Sequence, residues 1–175
     1  MQTKKRMVRF IVILIVIFYV FMHESVLLSD LQLLMQRSTE RQNFIKQIVS
    51  LVLKLHNKTV FFITGDYPGY YGIPELKTPF QSGLGQILMV VYTTKKQLSP
   101  RFFDEDTKNK LYDIGFLYDI LGQGYREVKG QGFGYYYSRQ EIEKALAAKL
   151  FFRNDIISLY YEGESEKLSP KNFQL

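Results

Sequence analysis

The sequence predicts an α+β fold of the α/β-like kind. One small mixed sheet with packed helices is expected behind an N-terminal transmembrane helix and a helical stalk. Three observations lead there. An unbroken apolar run, Phe10 to Met22, follows the basic cluster Lys4, Lys5, Arg6 and Arg9. From Thr59 onward, short β-branched or aromatic runs alternate with helical periodicity in the order β, α, α, β, β, α, β, which one mixed sheet with helices packed on it satisfies most economically. Finally, 175 residues suffice for one domain plus an appendage but not for two ordinary domains.

The N-terminal run decides location. Thirteen residues rise only about 20 Å as a helix, short of a hydrocarbon core of roughly 30 Å. Arg9 can snorkel to admit Met7 and Val8, and Val26-Leu27-Leu28 can extend the far end past His23, Glu24 and Ser25. A cleaved signal and a soluble core helix are the alternatives. Phe21 to Ser25 offers no Ala-x-Ala-like cleavage site, so the uncleaved anchor is favoured. Four cations before the run, against Glu24 and Asp30 after it, predict a cytoplasmic N-terminus and an extracytoplasmic bulk. The expected division is therefore 1–28 basic tip and anchor, 29–57 helical stalk, 58–162 α/β domain and 163–175 charged tail.

Ser29 to His56 reads as a long helix opened by a capping box, Ser29-Asp30-Leu31-Gln32. Ile45, Ile48, Val49 and Val52 form one apolar stripe, which either covers the following domain or pairs with a second copy. Asn57-Lys58-Thr59 matches an N-glycosylation acceptor, a pattern frequent by chance. Thr59 to Thr64 is a buried strand, followed by a loop from Gly65 to Pro79 rich in tyrosine, glycine and proline. Ser82 to Tyr92 is a buried helix starting on Gln81 or Ser82, with a central strand as the competing assignment. Asp104-Glu105-Asp106 opens a helix whose apolar face is Leu111, Ile114, Tyr118 and Leu121. Tyr125 to Val128 and Phe133 to Tyr137 form a hairpin, Arg139 to Phe151 a helix with Ile142, Leu146 and Leu150 inward, and Asp155 to Tyr161 a last strand.

Composition removes several chemistries. The chain carries +6, of which the N-terminal cluster supplies four, leaving +2 for the remainder and no expected nucleic-acid partner. Without cysteine there are no disulfides, thiol nucleophiles or zinc ribbons. His23 and His56 are the only histidines, which leaves almost no material for a His-based metal centre or a Ser-His-Asp triad, and no metal or cofactor is expected. Gly83-Leu84-Gly85 lacks the third glycine of a dinucleotide fingerprint, and Gly130-Gln131-Gly132-Phe133-Gly134 belongs to a hairpin. Ser82 is not in a Gly-x-Ser-x-Gly elbow.

One candidate site survives. Asp66 follows a strand end, where α/β proteins often place ligand contacts, and adjoins Tyr67, Tyr70 and Tyr71, with Gln81 close in sequence. Such tyrosines can stack on sugar rings while the acid and Gln81 bond hydroxyls; equally, they can cover the edge of a small core. No catalytic residue is assigned.

The segments Tyr71-Gly72-Ile73-Pro74-Glu75, Pro79 to Gln86 and Gly130 to Tyr136 are similar to the extracytoplasmic C-terminal region of bacterial multi-span glycosyltransferases of the protein-mannosyltransferase type. The resemblance covers roughly Thr59 to Tyr161 and one preceding hydrophobic segment. In that family the catalytic acids lie in an early loop between membrane helices, which this chain lacks, so none carries over. It implies a non-catalytic accessory domain beside the lipid bilayer, with a membrane glycosyltransferase or an envelope glycan as partner. A carbohydrate-active enzyme using Asp66, and an interaction protein dimerising through its stalk helix, are the alternatives.

Overall fold

In the computed structural model, residues 2–67, 77–80, 83–103 and 122–173 are described, with side chains from residue 10 onward and not at 103. The expected helix through Leu111, Ile114, Tyr118 and Leu121 lies outside the described residues. The elements are α1 (Gln2–Leu51), β1 (Lys58–Gly65), α2 (Leu84–Thr94), β2 (Gly124–Val128), β3 (Gln131–Tyr136), α3 (Arg139–Ala147), β4 (Ile156–Glu162) and β5 (Lys167–Pro170), with a short 3-10 turn at Pro100–Phe103. The chain forms two compact units, one ending at Glu40 and one beginning at Arg41.

In the first unit α1 runs without a break, because no glycine or proline interrupts it. The expected start at Ser29 is corrected. Ser29 sits inside the helix and its hydroxyl donates back to the Val26 carbonyl at 2.7 Å, as Ser25 does to Met22 at 2.8 Å. A helical hydroxyl satisfied by its own backbone caps nothing. From Phe10 to Leu28 every side chain is exposed, Phe10 at 63% and Phe21 at 72%. Among the described residues this is the one helix long and apolar enough to cross a membrane by length and composition.

The second unit is a five-stranded mixed sheet, order β2-β3-β1-β4-β5. β1 pairs in parallel with both β3 and β4, while β2 and β5 are antiparallel edges. One face buries Phe61, Ile63, Phe133 and Tyr161 under α2 and the end of α1. The other buries Val60, Phe62 and Tyr136 under Ile142 and Ala145 of α3. Alternation along β1 therefore feeds two cores, which is why its run reads as continuously apolar.

Several boundaries differ from those expected. Phe44 and Ile48 are fully buried and Val52 nearly so, with Ile45 and Val49 packed against the same core. The stripe is thus consumed by the domain's own sheet face, and the stalk assigned to 29–57 gives its last turns to that core. Helix α1 ends at Leu51, where the Tyr92 hydroxyl donates to the Val52 carbonyl at 3.0 Å. The region expected as a charged tail contains β5. Gln47 of α1 holds its outer side with both ends of the side-chain amide, Nε2 donating to the Glu166 carbonyl at 2.9 Å and Oε1 accepting from Leu168 N–H at 2.8 Å.

Three further elements form close to where expected. Gly83, left-handed at φ 79°, precedes α2, and no side chain caps that helix. The β2–β3 turn is only Lys129-Gly130, both with positive φ (50° and 83°), the two-residue hairpin geometry that follows strand twist. Helix α3 begins on Ser138, whose Oγ accepts from Glu141 N–H, and stops at Ala147, so Leu150 is 47% exposed rather than inward.

Candidate functional site

The carboxyl edge of the parallel strands is where this topology would place a ligand. Adjacent strands β1 and β3 send their following helices to opposite faces, α2 with one core and α3 with the other, so a crevice is expected beyond Gly65 and Tyr136. Asp66 stands at its margin.

The carboxylate turns away from that crevice. Its Oδ1 accepts from Gly163 N–H at 2.7 Å, while its own N–H donates to the Tyr161 carbonyl at 3.2 Å. Partial burial and the Asp66 carboxylate, through its charge and its hydrogen bond, push the Tyr160 hydroxyl above the ordinary tyrosine value. Asp66 therefore pins the β4–β5 turn to the end of β1, a structural task for its Oδ1. Tyr67 also turns inward: its N–H donates to the Lys77 carbonyl at 3.3 Å and its ring lies 6.2 Å from that of Tyr161, against the core. A Cβ on Gly65 would meet the Tyr161 carbonyl oxygen at 2.6 Å, and one on Gly163 would meet Tyr67 Cα at 2.9 Å. Backbone packs on backbone here, and only glycine permits that approach. Of the expected site residues the structure brings Asp66 and Tyr67 together; Tyr70, Tyr71 and Gln81 lie outside the described residues.

The β3 side of the crevice is closed by a residue the sequence did not single out. Gln123, 2% exposed, accepts through Oε1 from the N–H groups of Tyr137 (3.1 Å) and Ser138 (2.7 Å). These donors, at the junction of β3 and α3, are the ones an anion would otherwise meet. An isolated glutamine carries no pattern that reveals this role. Among the described residues, no group of three or more His, Asp or Glu is placed to hold a metal.

The Gly130-Gln131-Gly132-Phe133-Gly134 motif also resolves into packing. Tyr125 of β2 pairs with Gly134 and lays its ring across Gly132, where a Cβ would collide with the tyrosine hydroxyl. The ring covers backbone that glycine leaves bare. Its hydroxyl reaches Glu127 at 3.4 Å, and Glu127 pairs with Lys58 at 2.8 Å.

Two depressions lined by described residues lie elsewhere. At the amino edge of the sheet a polar hollow of about 720 Å³ is bordered by His56, Asn57, Lys58, Gly130, Asn154 and Asp155. A second, about 420 Å³, lies between the end of α3 and Phe152. Comparison with known proteins adds no relative: no protein-family model, no curated protein and no solved structure matches this chain.

Proposed function

We propose that this chain is a single-pass membrane protein carrying a non-catalytic accessory domain on the extracytoplasmic side. The observation behind this reading is the bare apolar surface of α1. From Phe10 to Leu28 nineteen residues rise about 28 Å, close to the hydrocarbon thickness, and none of their side chains is covered by protein. Polar groups along it are muted in the way a lipid environment demands. Ser25 bonds its own helix, and the His23 ring lies edge-on to Tyr19 at 5.5 Å. Glu24 falls near one end of the span, where a charge is tolerated. The basic cluster ahead of it orients the N-terminus inward.

The non-catalytic reading draws on Asp66 and Gln123, whose polar atoms serve backbone groups of the fold. A membrane glycosyltransferase, on the resemblance above, is the partner this reading places beside the domain. Alkaline carbonate extraction of expressing cells tests the anchor, with the full-length chain expected in the membrane pellet. A cysteine at Glu164 should react with an impermeant maleimide on intact cells, and one at Thr3 only after permeabilisation. Release into the carbonate supernatant, or the reverse labelling, refutes the anchor or its orientation respectively.

A further inference from the structure

The small net charge beyond residue 9 conceals a separation of charge that only the fold creates. The amino edge, where β1, β3 and β4 begin, gathers Lys54 and Lys58, Lys95 and Lys96, Lys129, and Lys149 and Arg153 from four separate segments. Their common location follows from contacts between those segments. Gly132 N–H donates to the Asn57 carbonyl at 2.7 Å, the Gln97 side chain donates to the Leu53 carbonyl, and Lys58, Gly130 and Asn154 border one hollow. The described anions there are engaged: Glu127 with Lys58, Asp155 with Phe152 N–H at 2.8 Å, and Glu143, which shares a depression with Lys149 and Arg153, with Arg139 at 2.8 Å. The acids Asp66, Glu162, Glu164 and Glu166 cluster instead at the opposite edge, around the β4–β5 turn.

Backbone conformation supplies an independent observation. Of the four described non-glycine residues with positive φ, three are Lys96 (57°), Lys129 (50°) and Lys149 (57°), and all three stand on this edge. Lys149 closes α3 with the Leu150 N–H to Ala145 carbonyl (3.2 Å) and Lys149 N–H to Leu146 carbonyl (2.9 Å) pair, a cap in which glycine is the usual residue. Left-handed backbone is costlier for a side-chain-bearing residue than for glycine. Lysine is thus present at three places where the backbone prefers its absence, and what the three share is an exposed cation.

We propose that the amino edge is a docking face for a soluble linear polyanion, whose phosphate or carboxylate groups meet Lys96, Lys129 and Lys149 with Lys54, Lys95 and Arg153 around them. Cations spread over four segments about a shallow hollow suit an extended polymer better than an enclosed small ligand. The hollow is bordered chiefly by polar groups, among them His56, Asn57, Lys58, Asn154 and Asp155, which suits a soluble polymer better than a lipid surface. The proposal does not depend on the anchoring reading.

The test titrates full-length protein in neutral-detergent micelles with inorganic polyphosphate at low and moderate salt. Wild type should bind, with affinity falling steeply as salt rises. Lys96→Gly/Lys129→Gly/Lys149→Gly should bind about tenfold or more weakly yet melt at the same or a higher temperature, since glycine relieves three left-handed positions. Removing charge from the opposite edge, Lys77→Gln/Lys167→Gln, should leave affinity nearly unchanged. Absence of wild-type binding, an unaltered affinity in the glycine variant, or an equal loss in the opposite-edge variant overturns the proposal. Binding confined to phosphatidylglycerol vesicles and abolished by Phe152→Ser also overturns it, and assigns the edge to a lipid surface through exposed Leu150 and Phe152.

Discussion

Tyr92 and Tyr135 show how little residue type says about role. Both rings are buried and both hydroxyls are pushed well above the ordinary tyrosine value, chiefly by burial. Tyr92 donates to the Val52 carbonyl, whereas the Tyr135 hydroxyl has no hydrogen-bond partner among the described residues. Tyr92→Phe should therefore destabilise by about 1 kcal/mol, while Tyr135→Phe should be neutral or stabilising, since it removes a desolvated group that bonds no described residue. Urea denaturation of the two variants decides it; equal losses would mean that the Tyr135 hydroxyl has a partner. A second pair tests the glycine motif. Gly132→Ala should cost about 1–3 kcal/mol through collision with Tyr125, and most of that loss should vanish in a Tyr125→Ala background. A penalty unaffected by Tyr125→Ala would refer the glycine to its backbone. The candidate acid was legible at this scale only as a position after a strand. That its carboxylate faces Gly163 rather than the crevice depends on a residue 97 positions away.

At the scale of elements, the sequence located strands well and helix ends poorly. The strand runs Thr59 to Thr64, Tyr125 to Val128 and Asp155 to Tyr161 all form within a residue or two of where alternation and turn residues place them. Helix ends shifted because capping patterns are short and common. Ser29 satisfies the pattern but lies where no backbone donor is free. β5 stayed hidden because Lys167-Leu168-Ser169-Pro170 is short and polar, and its outer side is held by Gln47 instead of another strand. The Lys58–Glu127 pair joins the start of β1 to edge strand β2 and carries a pH signature. The hydrogen bond to Glu127 raises Lys58, and the hydrogen bond to Lys58 holds the Glu127 carboxyl below its usual range. A depressed carboxyl contributes stability above its unfolded pKa of about 4.3 and loses it as pH falls through the lower folded value. A raised lysine contributes below about 10.4 and loses its share as pH rises through the higher folded value. The pair's coupling should thus be flat across neutral pH and fade at both extremes. A Lys58→Met, Glu127→Gln double-mutant cycle measured by thermal melts from about pH 3 upward checks this, and coupling that grows on acidification would contradict it.

For the molecule as a whole, the consequential difference is where the domain begins. The structure places that boundary at Arg41, with Phe44, Ile48 and Val52 in the core. Each such side chain contributes roughly 1.5–3 kcal/mol on burial, and a domain of this size has only about 5–15 kcal/mol in total. A fragment starting at Arg41 should therefore fold and remain soluble, whereas one starting at Lys58 should be unfolded or aggregated. Circular dichroism melts of the two fragments read the outcome, and a cooperative transition from the shorter fragment would show that the sheet and α2 close the core without α1.

The sequence by itself determined the succession β1, α2, β2, β3, α3 and β4, the mixed sheet with helices on it, and the apolar segment near the N-terminus. These are local properties, carried by periodicity, β-branching and the hydropathy of a contiguous run. Tertiary structure alone decided which polar groups are committed to the fold. Asp66 and Gln123 bond backbone, and Gln47 completes an edge strand. It also decided which charges become neighbours, since three left-handed lysines far apart in sequence share one edge of the sheet. Hydrogen bonds and surface potential depend on distances between segments, and no spacing along the chain encodes those distances.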